Sequence, residues 1–273
     1  MCKECGCGGE KEVVHFHDGH MHTHKVHQDH SQDHSHDHEH HHEHGHGHHH
    51  EPVAEAAETR TVNLQQKILS RNDEQAERNR AWLKEHGVVA VNLISSPGSG
   101  KTFLLERTLE SLRGKVSCAV ITGDQRTDND ARRLAGKGAP VRQIETQNAC
   151  HLDAEQIGKL LPEVAGDGVK LLFIENVGNL VCPSAFDLGE NFKIALLSTT
   201  EGEDKPVKYP TLFSEAPVVV LTKMDLVPHL DWNAAACRNF LRQVRPGVFI
   251  FELSAKTGQG MDAWLDYLTK LTA

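Results

Sequence analysis

Residues 95–102 read SSPGSGKT and have the composition of a loop that binds phosphate. Glycines in such a loop let backbone N–H groups turn toward an anion at the start of a helix. The lysine can reach the β- and γ-phosphate oxygens, and the hydroxyl that follows it can ligate Mg²⁺. The spacing matches a Walker A motif except for Ser95 in place of its first glycine, so we predict nucleotide binding rather than a chance glycine-rich turn. The nucleotide-binding residues predicted here are Gly98, Ser99, Gly100, Lys101 and Thr102.

Two acidic residues follow apolar runs further along the chain. Glu175, in FIENVG, has the position of an acid on the Mg²⁺ side of the nucleotide, and Gly178 would contact the γ-phosphate. Asp124 ends ITGD and is a second acid at a strand end, although a helix cap is the alternative for it. Asn179 occupies a position where some GTPases have a water-orienting glutamine, so we predict slow intrinsic hydrolysis. The predicted catalytic residues are Lys101, Thr102, Glu175, Gly178 and Asp124.

The segment TKMD at 222–225 indicates which base is bound. The Asp225 carboxylate can accept from the N1–H and the exocyclic amine of guanine, which adenine cannot offer, and the Lys223 stem can lie on the base. Thr222 stands where most G-domains have asparagine, and a helix cap is the alternative for Asp225. We predict GTP rather than ATP. The second base loop is predicted to contain Ser254, Ala255 and Lys256.

The chain begins MCKECGC, which places three cysteines next to the α-amine. Three thiolates and an amine suit a compact site for square-planar Ni(II) or tetrahedral Zn(II). Chance clustering at a chain start is the alternative. The predicted ligands are Cys2, Cys5 and Cys7.

A second set of soft ligands lies in the apolar part of the sequence. Cys150 and His151 are adjacent, and Cys182 follows Gly178 by four residues. Each alone would be a core or capping residue, because buried cysteines are usually inert. Together they supply two sulfurs and one nitrogen, one ligand short of a tetrahedral site. Since Cys182 shares a loop with the predicted γ-phosphate contact, nucleotide state could change the metal geometry.

Histidine is concentrated near the start of the chain. All of the 21 histidines except His86, His151 and His229 lie between His15 and His50. Residues 1–51 contain too few aliphatic side chains to offset the entropy of ordering, so we predict a disordered metal-binding tail. Interleaved imidazoles on such a tail suit a metal reservoir.

The elements that must position these residues follow from apolar periodicity. Residues 52–87 are predicted to be a linker and a helix that ends at Gly87, and residues 88–273 a single domain. Strands that are apolar on both faces and alternate with helices indicate an α/β fold, a mostly parallel sheet with helices on both faces. Together with the phosphate loop, this pattern of strands and helices predicts a P-loop NTPase. The predicted strands are 88–95, 116–124, 169–177, 192–199, 217–223 and 248–254.

Composition excludes several function classes. The formal net charge of −9 provides no basic stripe for nucleic acid. No apolar run reaches about 18 residues, so no membrane span is expected. The seven cysteines and a start without an apolar leader favour a reducing, cytoplasmic location.

The chain resembles the hydrogenase nickel-incorporation GTPases, the HypB family of metallochaperone G-domains. The motifs that carry the resemblance are CKECGC, SSPGSGKT, GDQRTDNDA, NACHL, ENVGNLVCP, TEGEDKPVKYP, TKMD and SAKTG. The resemblance implies a GTP-dependent homodimer that loads nickel into the [NiFe]-hydrogenase large-subunit precursor with a HypA-type nickel/zinc protein. It also implies a tight nickel site at the three N-terminal cysteines, and a metal site at Cys150, His151 and Cys182 near the dimer interface. Lys205 and Lys208 are hypothesised to contact the base or the partner subunit.

Two other functions compete with this one. A urease-type nickel-insertion GTPase can also have a histidine-rich head, but CKECGC and NLVCP are not expected there. A nickel buffer with a vestigial GTPase is the other alternative, and the intact nucleotide-site residues argue against it. Intact residues of this kind are Lys101, Thr102, Glu175 and Asp225.

Overall fold

The computed structural model describes residues 12–17, 20–25, 53–124, 128–147 and 149–273, with side chains described from residue 67 onward. The chain divides into two units, Met1–Gln65 and Gln66–Ala273. Cys2, Cys5, Cys7 and most of the histidine-rich tract lie outside the described residues.

The first unit contains two short strands within the segment that was predicted to be disordered. Strands β1 (Glu12–His17) and β2 (His20–Lys25) pair antiparallel, with His15 opposite His22. Their sequences, EVVHFH and HMHTHK, alternate histidine with other side chains, a period that favours a strand. A two-stranded hairpin alone contributes little stability in water.

Nearly all remaining elements alternate between helix and strand. Helix α1 (Val53–Glu85) takes up nearly all of the segment predicted to be a linker and a helix, and it ends before Gly87, as expected. The following elements are β3 (Val89–Ser95), α2 (Lys101–Leu112), β4 (Cys118–Asp124), α3 (Asn129–Leu134), β5 (Val141–Glu145), α4 (Ala154–Val164), β6 (Leu171–Glu175), β7 (Phe192–Ser198), α5 (Lys205–Lys208), α6 (Pro210–Glu215), β8 (Val218–Thr222), α7 (Ala234–Val244), β9 (Phe249–Glu252) and α8 (Met261–Leu271). Short 3-10 helices cover Cys182–Ala185 and Met224–His229.

The central sheet has seven parallel strands in the order β5-β4-β6-β3-β7-β8-β9. This confirms the predicted α/β fold with a parallel sheet. Because the carboxyl ends of parallel strands share one edge, the loops after β3, β4, β6 and β8 are brought together there. The edge strand β5 was missed in the sequence, since VRQIE is polar and only partly buried.

Helices cover both faces of the sheet, as predicted. On one face α2 and α8 pack on β3, β4 and β6 through a cluster that includes Leu105 and Trp264. On the other face α1 and α4 pack on the same strands, and α6 and α7 on β7 and β8. No helix in the described part of the chain has the length and apolar composition needed to cross a membrane.

Helix α1 docks closely against the segment that precedes β7. Gly189 has φ +90°, and a Cβ atom there would lie 2.6 Å from the Ala76 carbonyl oxygen and from Asn79 Cβ. Leu83 on the same helix is buried, whereas Ile68 is 39% exposed. The tight contact therefore lies in the last half of the helix.

We expect Gly189→Ala to destabilise the protein more than Gly168→Ala. Both glycines have positive φ, but a Cβ at Gly168 meets nothing within 4 Å. Gly168→Ala should cost about 1–2 kcal/mol of backbone strain, and Gly189→Ala about 1–3 kcal/mol more, because α1 must move. Urea unfolding measures both values. Equal losses would contradict the close docking of α1.

Candidate functional site

The phosphate loop connects β3 to α2 in a strained, glycine-dependent conformation. Gly98 and Gly100 have φ +73° and +92°, the left-handed region that side chains disfavour. Ser95, which replaces the first glycine of the motif, is fully buried, and its hydroxyl oxygen accepts from Ser99 Oγ at 2.7 Å. The departure from the motif therefore adds a hydrogen bond inside the loop.

A buried carboxylate faces the start of α2. Thr102 Oγ1 donates to Glu175 Oε1 at 2.6 Å, and Thr122 Oγ1 donates to Glu175 Oε2 at 3.2 Å. Burial raises the pKa of Glu175. Burial also lowers the pKa of Lys101, and the negative charges of Glu175, Asp130 and Asp124 oppose this shift. A hydroxyl and a carboxylate are the hard oxygen ligands that Mg²⁺ prefers, so these residues fit that ion.

The loop after β6 touches the phosphate loop. A Cβ atom on Gly178 would lie 3.2 Å from backbone atoms of Pro97, so glycine allows the two loops to approach. Asp124, at the end of β4, lines a cavity of about 370 Å³ beside this contact. Asn179 Oδ1 accepts from the Val181 N–H at 2.8 Å and so shapes its own loop.

A second cavity, of about 220 Å³, lies beside the first turn of α2. It brings together the residues that were predicted to bind the base. Three further lining residues, Phe103, Leu104 and Leu226, were missed in the sequence analysis, although an aromatic residue directly after the Walker A threonine is a possible signal. The predicted residues in this cavity are Ser99, Gly100, Lys223, Asp225, Ser254, Ala255 and Lys256.

Thr222 has a definite role despite departing from the common asparagine. Its hydroxyl donates to the Ser99 carbonyl at 2.6 Å, and Lys223 Nζ donates to the Gly98 carbonyl at 2.7 Å. Lys223 itself has φ +59°. The base loop is therefore hydrogen-bonded to the phosphate loop through both residues.

The two hypothesised lysines occupy different places. Lys205 Nζ donates to Ser96 Oγ in the phosphate loop at 2.8 Å and pairs with Glu201. Lys208 pairs with Asp204 at 2.6 Å. Lys205 thus contacts the phosphate loop rather than the base cavity.

Cys150, His151 and Cys182 come together as the sequence predicts. One ligand atom from each lies within 4.8 Å of the other two. Ligands of one tetrahedral ion with bonds of about 2.3 Å are about 3.8 Å apart, so a small adjustment suffices. The His151 ring stacks on Phe186 with centroids 3.8 Å apart, which fixes its orientation. Two sulfurs and an imidazole suit Ni(II) or Zn(II).

Buried amides that the sequence analysis did not single out connect these loops. Asn176 follows Glu175, and its side chain bonds to the Leu152 N–H and to Asn92. Asn92 donates in turn to Glu190 at 3.0 Å. An asparagine inside the apolar strand VAVNLIS was the available signal, since buried amides need designated partners.

Comparison with known proteins places the chain in a family. Residues 89–252 match the family described as CobW/HypB/UreG, nucleotide-binding domain. The hydrogenase maturation factor HypB of Azotobacter vinelandii is 49% identical over 214 residues, covering 78% of this chain and 71% of that protein. The chain belongs to the HypB family.

Solved structures of the HypB family share the fold. HypB from Archaeoglobus fulgidus is 38% identical, with a TM-score of 0.71 over 75% of this chain and 100% of that one. HypB from Helicobacter pylori, solved in complex with nickel, is 37% identical, with a TM-score of 0.69 over 73% and 94%. Residues 89–252, which match the family model, contain the phosphate loop and the metal-ligand cluster of this chain.

Proposed function

We propose that this protein is a GTP-hydrolysing nickel metallochaperone that delivers nickel to the [NiFe]-hydrogenase large-subunit precursor. One observation carries the proposal: Cys182 of the metal cluster lies only seven residues after Glu175 of the nucleotide site, on the same loop. Membership of a family of hydrogenase maturation factors, and the nickel bound by the H. pylori relative, support it.

The nucleotide chemistry is proposed for residues that line the two cavities and for Glu175, which accepts a hydrogen bond from Thr102. Lys101 neutralises phosphate charge, and Thr102 and Glu175 hold Mg²⁺, which supplies charge stabilisation when bound. Gly178 and Asp124 face the γ-phosphate end of the site. Nickel is cargo at Cys150, His151 and Cys182, where Zn²⁺ can also bind.

The proposed partners follow from this cycle. We propose that the protein forms a GTP-dependent homodimer, and that a second protomer or water completes the three-ligand cluster. A HypA-type nickel/zinc protein and the hydrogenase large-subunit precursor are the other proposed partners. A site at Cys2, Cys5 and Cys7 provides a tight nickel position upstream of the cluster.

Guanine selectivity offers a direct experiment. Asp225→Asn replaces two acceptors with one acceptor and one donor, which matches the N1–H and 2-oxo group of xanthine. We expect GTP affinity to fall by about 10-fold or more, in line with an interaction to a charged group of about 1.5–3 kcal/mol, while xanthosine triphosphate affinity rises. Titration with both nucleotides measures this. Asp231→Asn, at an exposed position, is the control; an unchanged GTP affinity in Asp225→Asn would remove guanine recognition from this residue.

We propose that the histidine-rich tract at 36–50 stores nickel and is not needed for the directed transfer step. Replacing its histidines with asparagine should lower hydrogenase activity of cells in nickel-poor medium and leave it unchanged in nickel-rich medium. Neutral imidazoles provide exchangeable sites that matter when free metal is scarce. An equal loss in both media would contradict a storage role.

Two alternatives remain distinguishable. A urease-type nickel-insertion GTPase would support urease rather than hydrogenase maturation. A nickel buffer with a vestigial GTPase would bind metal without turnover. GTP turnover together with activity of each target enzyme separates the three.

A further inference from the structure

The two segments that carry the metal ligands are joined by one buried chain of hydrogen bonds. Next to the Cys150–His151 segment, the N–H of Leu152 donates to Asn176 Oδ1 at 3.2 Å. Asn176 Oδ1 also accepts from the Val177 N–H at 3.0 Å. The Asn176 side chain therefore ties the Cys150–His151 segment to the loop after β6.

The same chain continues to the segment that follows Cys182. Asn176 Nδ2 donates to Asn92 Oδ1 at 3.2 Å, and Asn92 Nδ2 donates to Glu190 Oε1 at 3.0 Å. Glu190 Oε2 accepts from the Leu188 N–H at 2.7 Å. The Asn92, Asn176 and Glu190 side chains are at most 5% exposed, so water does not substitute for these partners.

Asn176 is also linked to the nucleotide site through its neighbour in the chain. It is the residue after Glu175, whose carboxylate accepts from Thr102, and its backbone N–H donates to the Leu93 carbonyl at 3.1 Å. Any change in how Glu175 is held when Mg²⁺ and nucleotide arrive acts on the adjacent peptide. A rotation of the Asn176 amide would alter the Leu152 and Asn92 bonds together.

We infer that Asn176 is a positioning residue that couples the nucleotide state to the geometry of the Cys150/His151/Cys182 cluster. This inference rests on the proposed function. In this proposal Asn176 binds neither the metal nor the nucleotide. It sets the spacing between the segments that carry the metal ligands. Coupling of this kind is reciprocal, so metal binding must change nucleotide affinity by the same factor.

Helix α1 provides a matched control. Asn72 Nδ2 donates to the Asp187 carbonyl at 2.8 Å, and Asn72 Oδ1 accepts from the Ala154 N–H at 2.9 Å. Asn72 therefore ties together the same two segments from the outer side, and these bonds reach neither β3 nor β6. Losing it should weaken the cluster without uncoupling it from the nucleotide.

The test measures Ni(II) affinity of the full chain carrying alanine at Cys2, Cys5 and Cys7, in the presence of GDP or a non-hydrolysable GTP analogue. Excess chelator sets the free nickel, and the thiolate-to-nickel charge-transfer band reports the cluster, since the imidazoles of the tail do not produce it. We expect the Ni(II) affinities in the two nucleotide states to differ by a factor of about 5–150 in this background protein. Asn176→Ala should bring the ratio of the two Ni(II) affinities to within about 2-fold of 1. Asn72→Ala should lower the Ni(II) affinity in both nucleotide states and leave their ratio unchanged.

A retained ratio in Asn176→Ala would overturn this inference and leave the proposed function standing. Equal affinities in the background protein would overturn both. GDP affinity checks the fold of each variant. If Asn176→Ala does not bind GDP, Asn92→Ser decides, since it breaks the same chain from β3: a reduced ratio supports the inference and an unchanged ratio overturns it.

Discussion

Lys101→Ala is expected to lower the GTP hydrolysis rate by at least about 10²-fold, the cost of removing one preorganised charge-stabilising group. The Lys101 ammonium is buried at the start of α2, and desolvation lowers its pKa, so its charge is incompletely balanced before phosphate arrives. Triphosphate supplies the missing counter-charge, and transition-state charge strengthens that interaction. Phosphate release under saturating GTP is the measurement.

Lys115→Ala is the control for this variant, because Lys115 is exposed just beyond the end of α2. It should hydrolyse GTP at the wild-type rate. If Lys101→Ala and Lys115→Ala turned over GTP equally, the phosphate loop would not be the catalytic site. An equally low, background rate in the wild-type protein and in both variants would favour the nickel-buffer alternative.

Cys182→Ala is expected to weaken Ni(II) binding at the cluster by more than about 100-fold. Loss of an outer partner of a metal ligand alone costs about 10–100-fold, and Cys182 is proposed to be a direct ligand. The remaining Cys150 and His151 come from one segment, so the metal would no longer connect the two loops. Chelator competition, followed through the thiolate-to-nickel band in the protein that carries alanine at Cys2, Cys5 and Cys7, measures the affinity.

Cys237→Ala serves as the matched control for the loss of a thiol. Cys237 is fully buried in α7, and burial raises its thiol pKa to about 12, so it provides no thiolate near neutral pH. Its replacement should leave the band and the affinity unchanged. An equal effect of both variants would show that the fold, and not ligation, sets nickel affinity.

Apolar runs were sufficient to predict most of the sheet. The segments around β3, β6 and β8 are apolar on both faces because helices cover both sides, and this pattern is visible without a structure. β5 lies at the sheet edge and is half exposed, so its sequence has no such run. The tail strands β1 and β2 were missed because the prediction for residues 1–51 rested on their low aliphatic content and not on the alternation of histidine with other side chains.

The local motifs predicted the site residues, but not what holds the motifs together. Thr222 and Ser99 are 123 residues apart, and their hydrogen bond explains a threonine that looked like a departure from the pattern. Asn176 and Leu152 meet across 24 residues in the same way. Such bonds depend on strand order, which spacing along the chain does not specify.

The central claim is that metal binding at the Cys150/His151/Cys182 cluster depends on the nucleotide, because Cys182 shares a loop with Gly178, the proposed γ-phosphate contact. The direct test is the Ni(II) affinity of the Cys150/His151/Cys182 cluster in the full-length protein with alanine at Cys2, Cys5 and Cys7. It is measured with GDP and with a non-hydrolysable GTP analogue, at chelator-buffered free nickel. We expect the Ni(II) affinities in the two nucleotide states to differ by at least about 5-fold, since a ligand shifts a conformational equilibrium only through its differential affinity. Equal affinities in the two states would contradict it.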